Sequence, residues 1–82
     1  MTNPAILIWT KRDTTCVQCD ATKRALRKAG IDFIERPLED FPDHVQAFKD
    51  EGLLGAPIVE TANRRWSGFR PDLIKQIAKE QP

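Results

Sequence analysis

The sequence predicts a single α/β domain, a four-stranded mixed sheet flanked by three helices in the order βαβαββα. Three observations point there. An apolar run, Ala5 to Trp9, is followed by a helical pattern and then a second strand pattern, which together describe a parallel βαβ unit. The turn residues Thr61-Ala62-Asn63 separate two short strand patterns that read as a hairpin. Eighty-two residues hold one core and no second domain, so residues 1–82 are assigned to one fold.

Each element has its own signals. Ala5-Ile6-Leu7-Ile8-Trp9 is short, apolar and β-branched, as a buried strand is. Lys11 to Thr15 is a polar loop ending in Asp13, Thr14 and Thr15, all good helix N-caps. The first helix is predicted from about Cys16 to Ala29, with Val17, Ala21, Ala25 or Leu26, and Ala29 as its apolar stripe. Lys23, Arg24, Arg27 and Lys28 face water, and Gly30 is the stop. Ile31 to Arg36 reads as the second strand, ended by Pro37. Asp40 is placed to cap a second helix over about Phe41 to Glu51, with Val45 and Phe48 inward. Pro57 to Glu60 and Arg64 to Ser67 are the hairpin strands, and Pro71 opens a final helix to about Lys79. The βαβ unit implies a parallel pair, and the hairpin adds antiparallel strands.

Composition narrows the function classes. A chain of this length buries only about 60–65% of its unfolded surface, so its core is thin. Its chemistry has to come from a few side chains or from a partner. The net charge of +1 carries no bias toward nucleic acid. The charge is uneven along the chain, however. Residues 1–30 hold six Lys/Arg against two Asp/Glu, residues 31–60 two against eight, and residues 61–82 five against two. Two readings fit this pattern: solvated helix faces, or a basic rim around the first segment that assists thiolate chemistry. The N-terminus lacks a basic region followed by a long apolar stretch, so no secretory leader is expected. The run Ala5 to Trp9 is too short to cross a bilayer. A cytoplasmic location is expected, without membrane or nucleic-acid partners.

Cys16-Val17-Gln18-Cys19 falls after a strand and at the start of a helix. The nucleophile of disulfide exchange is the thiolate. A free cysteine with a pKa of about 8.5 is only about 3% thiolate at pH 7. A helix N-terminus supplies partial positive charge and free N–H donors that favour the anion. A cation such as Lys11 or Lys23 adds to this. Two intervening residues put the sulfurs about one helical turn apart, within reach of each other. Cys16, the more exposed, is expected to attack a substrate disulfide. Cys19, the more buried, is expected to resolve the mixed disulfide. Other readings stand beside this one. A zinc site needs four ligands, and the chain offers one cysteine pair and the single His44, so no metal is expected. A permanent structural disulfide is disfavoured in a reducing compartment. Two inert core cysteines remain an open alternative.

A second constellation lies downstream. Ala56-Pro57 precedes a strand, and by sequence alone its peptide bond is expected to be trans. Trp66-Ser67-Gly68-Phe69-Arg70-Pro71 reads either as a strand-to-helix corner with core aromatics or as an aromatic and backbone platform for a partner's peptide. His44 is expected on the surface of the second helix and is given no role.

The runs Cys16-Val17-Gln18-Cys19-Asp20-Ala21-Thr22-Lys23-Arg24-Ala25-Leu26 and Trp66-Ser67-Gly68-Phe69-Arg70-Pro71-Asp72 together resemble the NrdH-type redoxins, a glutaredoxin-like branch of the thioredoxin superfamily. The resemblance implies a thioredoxin fold and a dithiol that donates electrons to the large subunit of class Ib ribonucleotide reductase. It implies reduction by NADPH-dependent thioredoxin reductase, with glutathione not the usual reductant, and no bound cofactor. Cys16 and Cys19 are then a redox-active disulfide, and Pro57 a cis proline facing it. The partner surface implied comprises Lys11, Val17, Gln18, Ala56, Pro57, Trp66, Ser67, Gly68, Phe69 and Arg70. A monomer is expected. General protein-disulfide reduction with other targets, or a non-catalytic binding module on the same fold, are the alternatives. The sequence departs from the family in the loop before Cys16, which is about two residues longer and lacks a proline. It also has Trp9 where the family more often has Tyr.

Overall fold

The computed structural model describes residues 6–80. Ala5, with which the first strand is expected to begin, lies outside them. The elements follow the expected order: β1 Ile6–Thr10, α1 Val17–Lys28, β2 Phe33–Pro37, α2 Pro42–Asp50, β3 Ile58–Glu60, β4 Arg65–Ser67 and α3 Pro71–Glu80. One extra turn, a 3₁₀ segment Leu38–Asp40, links β2 to α2. The sheet order is β2-β1-β3-β4. β1 runs parallel to β2 and antiparallel to β3, and β3 is antiparallel to β4. This is the four-stranded mixed sheet with three helices that the sequence predicts.

The period-two alternation of β1 divides the core. Ile6 and Ile8 join Leu26 of α1, Val59, Trp66, and Ile74 and Ile77 of α3 on one face. Trp9 and, less deeply, Leu7 face the other way and pack with Phe48, Ile58, Leu38, Phe41 and Leu53 around α2. Trp9 is the anchor of this smaller cluster. Phe41 and Phe48 meet its ring edge-on at 5.2 and 5.3 Å, and His44 stacks on it at 4.8 Å. His44 is exposed as expected, but its ring is a lid on Trp9. The Trp9 indole N–H finds a partner in Glu60.

Four expectations need correction. The stripe of α1 is Cys19, Thr22 and Leu26, whereas Val17 is 75% exposed and Ala29 is exposed as well. The buried line runs through a cysteine, which packs as a small hydrophobe, and through a threonine, neither of which an apolar count includes. The cap of α1 is Cys16 itself, not Asp13, Thr14 or Thr15. Asp40 does not cap α2. It lies in the 3₁₀ turn, and Phe41 takes the N-cap position with no side-chain bond, ahead of Pro42. β2 begins two residues later than expected, and Ile34 is 46% exposed because it lies on the outer side of an edge strand.

The uneven charge along the chain becomes pairing in space. Arg12 bonds Asp40, Lys23 bonds Glu35, and Arg65 bonds both Glu51 and Glu60, so bases of both flanks meet acids of the middle third. Each exposed pair is worth little. Of the bases in the first segment, Arg12 and Lys23 are engaged in these pairs, whereas Lys11 and Arg24 are exposed. Burial pushes the Glu35 carboxyl up, but hydrogen bonds from Thr10 and Lys23 outweigh it and hold the group below its ordinary 4.5.

Candidate active site

Cys16 and Cys19 stand at the mouth of α1, joined as a disulfide with an S–S distance of 2.13 Å and Cα atoms 5.2 Å apart. Cys16 has extended backbone and occupies the N-cap. Its sulfur accepts the Cys19 backbone N–H at 3.2 Å, the bond that Ser or Asp oxygens make at other helix starts. A thiolate there keeps that bond and gains the positive end of the helix. Cys16 is half-buried and Cys19 is 2% exposed, the asymmetry expected of an attacking and a resolving sulfur.

The cations named from sequence contribute unequally. Lys23 sits deeper in α1 and is paired with Glu35 and Asp20. Lys11 is exposed and lines a groove with Thr14 and Ala56. The long loop before Cys16 is clamped from beneath. Glu39 accepts the backbone N–H groups of Asp13 and Arg12, while the Arg12 guanidinium forks onto Asp40 and also touches Asp13. Those two N–H donors, Asp13 first, hold the Glu39 carboxyl below its ordinary 4.5. Nothing in the sequence marks Glu39 for this task, because a loop's unpaired N–H groups are visible only once it is folded.

The second constellation is tied to the first by hydrogen bonds. Gln18, between the cysteines, accepts the Phe69 backbone N–H at 3.0 Å on its side-chain oxygen. The neighbouring Gly68 N–H donates to the Pro57 carbonyl at 2.8 Å. Ser67 Oγ donates to the Gly55 carbonyl and accepts its N–H. The Ala56-Pro57 bond is cis, against the expectation from sequence alone and in line with the family resemblance. Gly68 has φ +88°, and a β-carbon there would come within 3.3 Å of the Gln18 oxygen.

The residues expected on a partner surface divide. Lys11, Val17, Gln18, Phe69 and Arg70 are exposed, and Ala56, Ser67 and Gly68 are half-buried. Arg70 is forked onto Asp72. Trp66 and Pro57 are not surface. Trp66 is 5% exposed, because the middle of β4 points it into the layer beneath α3, and Pro57 is fully buried. Pro57 takes part through its backbone carbonyl. The sequence reading also missed the apolar groove beside the site. It has a volume of about 430 Å³ and is lined in part by Val45, Phe48, Leu53 and Leu54, the last 76% exposed. Among the described residues no group of His, Cys, Asp and Glu is placed to hold a metal, and no helix is long and apolar enough to cross a membrane.

The glutaredoxin family profile matches residues 6–64. The glutaredoxin-like protein NrdH of Escherichia coli (strain K12) is 40% identical over 72 residues, covering 88% of this chain and 86% of the relative. That of Salmonella typhimurium is 37% identical over 73 residues, 89% of this chain and 88% of the relative. Among solved structures, the glutaredoxin-like NrdH-redoxin of Escherichia coli, described as having a thioredoxin-like activity profile, superposes with a TM-score of 0.81. It is 38% identical, with 95% of this chain and 96% of that one covered. A glutaredoxin from Archaeoglobus fulgidus matches at TM-score 0.71 and 18% identity over 89% of this chain and 84% of that one, which bears on the fold alone.

Proposed function

The chain belongs to the glutaredoxin family, in its NrdH-like branch, and from that premise we propose that it is a dithiol electron donor to the large subunit of class Ib ribonucleotide reductase. NADPH-dependent thioredoxin reductase restores the dithiol. The observation that carries this reading is the placement of Cys16 at the N-cap of α1 with Cys19 buried one turn on, both braced through Gln18 against Phe69.

The cycle follows from that placement. The Cys16 thiolate attacks one sulfur of the partner's disulfide. The partner's S–S bond breaks and its other sulfur leaves as a thiolate that takes a proton from water. Cys19, having given up its proton, then attacks the Cys16 sulfur. The mixed disulfide breaks and the partner's second sulfur leaves, so the partner gains two electrons and two protons. The Cys16–Cys19 disulfide is the product on this side. No step calls on a bound cofactor or a metal. The protein works as a monomer in the cytoplasm, and the exposed Val17, Gln18, Phe69 and Arg70 meet the partner.

The thioredoxin-like profile of the Escherichia coli relative favours a second reading, general protein-disulfide reduction with other targets. A coupled assay separates the possibilities. With a class Ib reductase, NADPH and thioredoxin reductase, adding this chain is expected to sustain deoxyribonucleotide formation. Support only from glutathione and glutathione reductase overturns the proposal in favour of a glutathione-dependent glutaredoxin. Rapid reduction of insulin by the chain with no ribonucleotide reductase turnover selects the general reductase.

A further inference from the structure

β1 and β2 run parallel with Thr10 opposite Pro37, so the chain leaves both strands side by side. Just beyond, Arg12 and Asp13 meet Glu39 and Asp40 of the 3₁₀ turn. Glu39 Oε2 accepts the backbone N–H groups of Arg12 and Asp13 at 2.9 and 3.0 Å, and Oε1 shares the first at 3.1 Å. Successive backbone N–H groups aimed at one carboxylate form an anion nest, and bonds to an ionised acceptor are the stronger kind. One guanidinium nitrogen of Arg12 bonds both Asp40 oxygens at 2.9 Å. Residues 11–15 are exposed and belong to no helix or strand, so their position depends on such bonds.

The clamp stands at the wall of the apolar groove. Lys11 and Thr14 of the loop and Glu39 of the turn line it together with Val45, Phe48 and Lys49 of α2. The Glu39 charge is taken up by the loop N–H groups, while Lys11 and Lys49 enter no ion pair among the described residues. An apolar groove with a positive rim suits a segment of apolar and acidic side chains. We propose that Glu39 is a positioning residue for partner binding. Its carboxylate fixes residues 11–15 as one wall of the groove, and the groove receives an apolar and acidic stretch of the partner chain beside the disulfide that Cys16 attacks. This rests on the proposed reading of the chain as a donor to that partner. A wall already in place removes the cost of ordering the loop when the partner docks. The effect falls on binding and not on the sulfur, because the N-cap bond of Cys16 is made to the Cys19 N–H within α1.

The test compares variants with wild type in the coupled ribonucleotide reductase assay, with thioredoxin reductase and NADPH in excess. Glu39→Ala is expected to raise the chain concentration at half-maximal rate about tenfold and to keep the maximal rate within about twofold. The pH midpoint of Cys16 alkylation by iodoacetamide is expected to stay where it is in wild type. Exchange of the Arg12 and Asp13 amide protons with water, read by NMR, is expected to quicken. Glu39→Gln, whose amide oxygen still accepts N–H groups, is expected to raise the half-maximal concentration only about threefold. Asp40→Ala loosens the clamp from outside the groove and is expected to raise it by a similar factor, which loss of a direct partner contact would not do. Lys49→Glu is expected to raise it most at low salt, where exposed charges are least screened. An unchanged half-maximal concentration in Glu39→Ala, Asp40→Ala or Lys49→Glu overturns the inference. A moved alkylation midpoint overturns it too, since the clamp then serves the sulfur. So does a rise in Glu39→Ala without faster amide exchange, which makes Glu39 a partner contact. Wild type that sustains no turnover overturns the proposed function itself, and the inference with it.

Discussion

Cys16→Ser is expected to lose disulfide reduction by at least roughly a thousandfold, because an alcohol supplies almost no anion at neutral pH where a thiol supplies a usable fraction. The substitution isolates chemistry from folding unusually well. Cys16 occupies the N-cap of α1 and accepts the Cys19 N–H through its side chain. Serine is among the preferred residues at that position, so the helix start keeps its hydrogen bond. The variant's circular dichroism and melting are therefore expected to match reduced wild type while NADPH consumption through thioredoxin reductase stops. Retention of a tenth or more of the activity removes Cys16 as the nucleophile. Unchanged partner affinity in a variant lacking both cysteines, with no redox activity in wild type, identifies a binding module.

Gly68→Ala is expected to cost about 1–2 kcal/mol of stability, and so to lower the melting temperature by roughly 5–15 °C in a domain of this size. Two effects act together. The backbone at Gly68 has φ +88°, a region that residues with a β-carbon rarely adopt. The added methyl also meets the Gln18 oxygen at 3.3 Å, on the same atom that accepts the Phe69 N–H at 3.0 Å. The bond between the cysteine loop and the turn after β4 is thus strained from both sides. Activity at saturating partner is expected to change less than the partner concentration needed for half-maximal rate, since Phe69 moves and the sulfurs do not. Melting curves and a titration of the partner read the two effects separately. A Gly68→Ala protein with wild-type melting removes the positive φ as a constraint.

The architecture was legible because each strand and helix carried its own local signal. The β-branched run of β1, the prolines before β3 and at the start of α3, and the glycine after α1 all mark real boundaries within a residue or two. The cysteines were legible for the same reason, since strand, loop and helix start fall in order around them. What escaped was whatever depends on folded neighbours. Asp13, Thr14 and Thr15 are good caps locally, yet Cys16 is closer to the first helical turn and takes the position. Val17 fits an apolar stripe in sequence but faces solvent, because the stripe follows Cys19, Thr22 and Leu26. Trp66 reads from its neighbours either as a core aromatic or as part of a platform with Phe69, and the alternation of β4 turns it into the core, against the surface position that the family resemblance implies. Glu39 and the exposed Leu54 gave no signal at all, since one caps a loop from a distant turn and the other borders a groove formed by separate elements.

In the proposed function, Cys16 attacks and Cys19 resolves on a class Ib ribonucleotide reductase large subunit. Its most direct test is covalent capture with Cys19→Ser, which can form the mixed disulfide and cannot release it. Incubated with the oxidised large subunit, this variant is predicted to yield a one-to-one adduct, reversed by dithiothreitol, whose bridging peptide contains Cys16. Cys16→Ser is predicted to yield none. An adduct carried by Cys19 in the Cys16→Ser variant, or no adduct from Cys19→Ser with a large subunit that thioredoxin still reduces, contradicts the account.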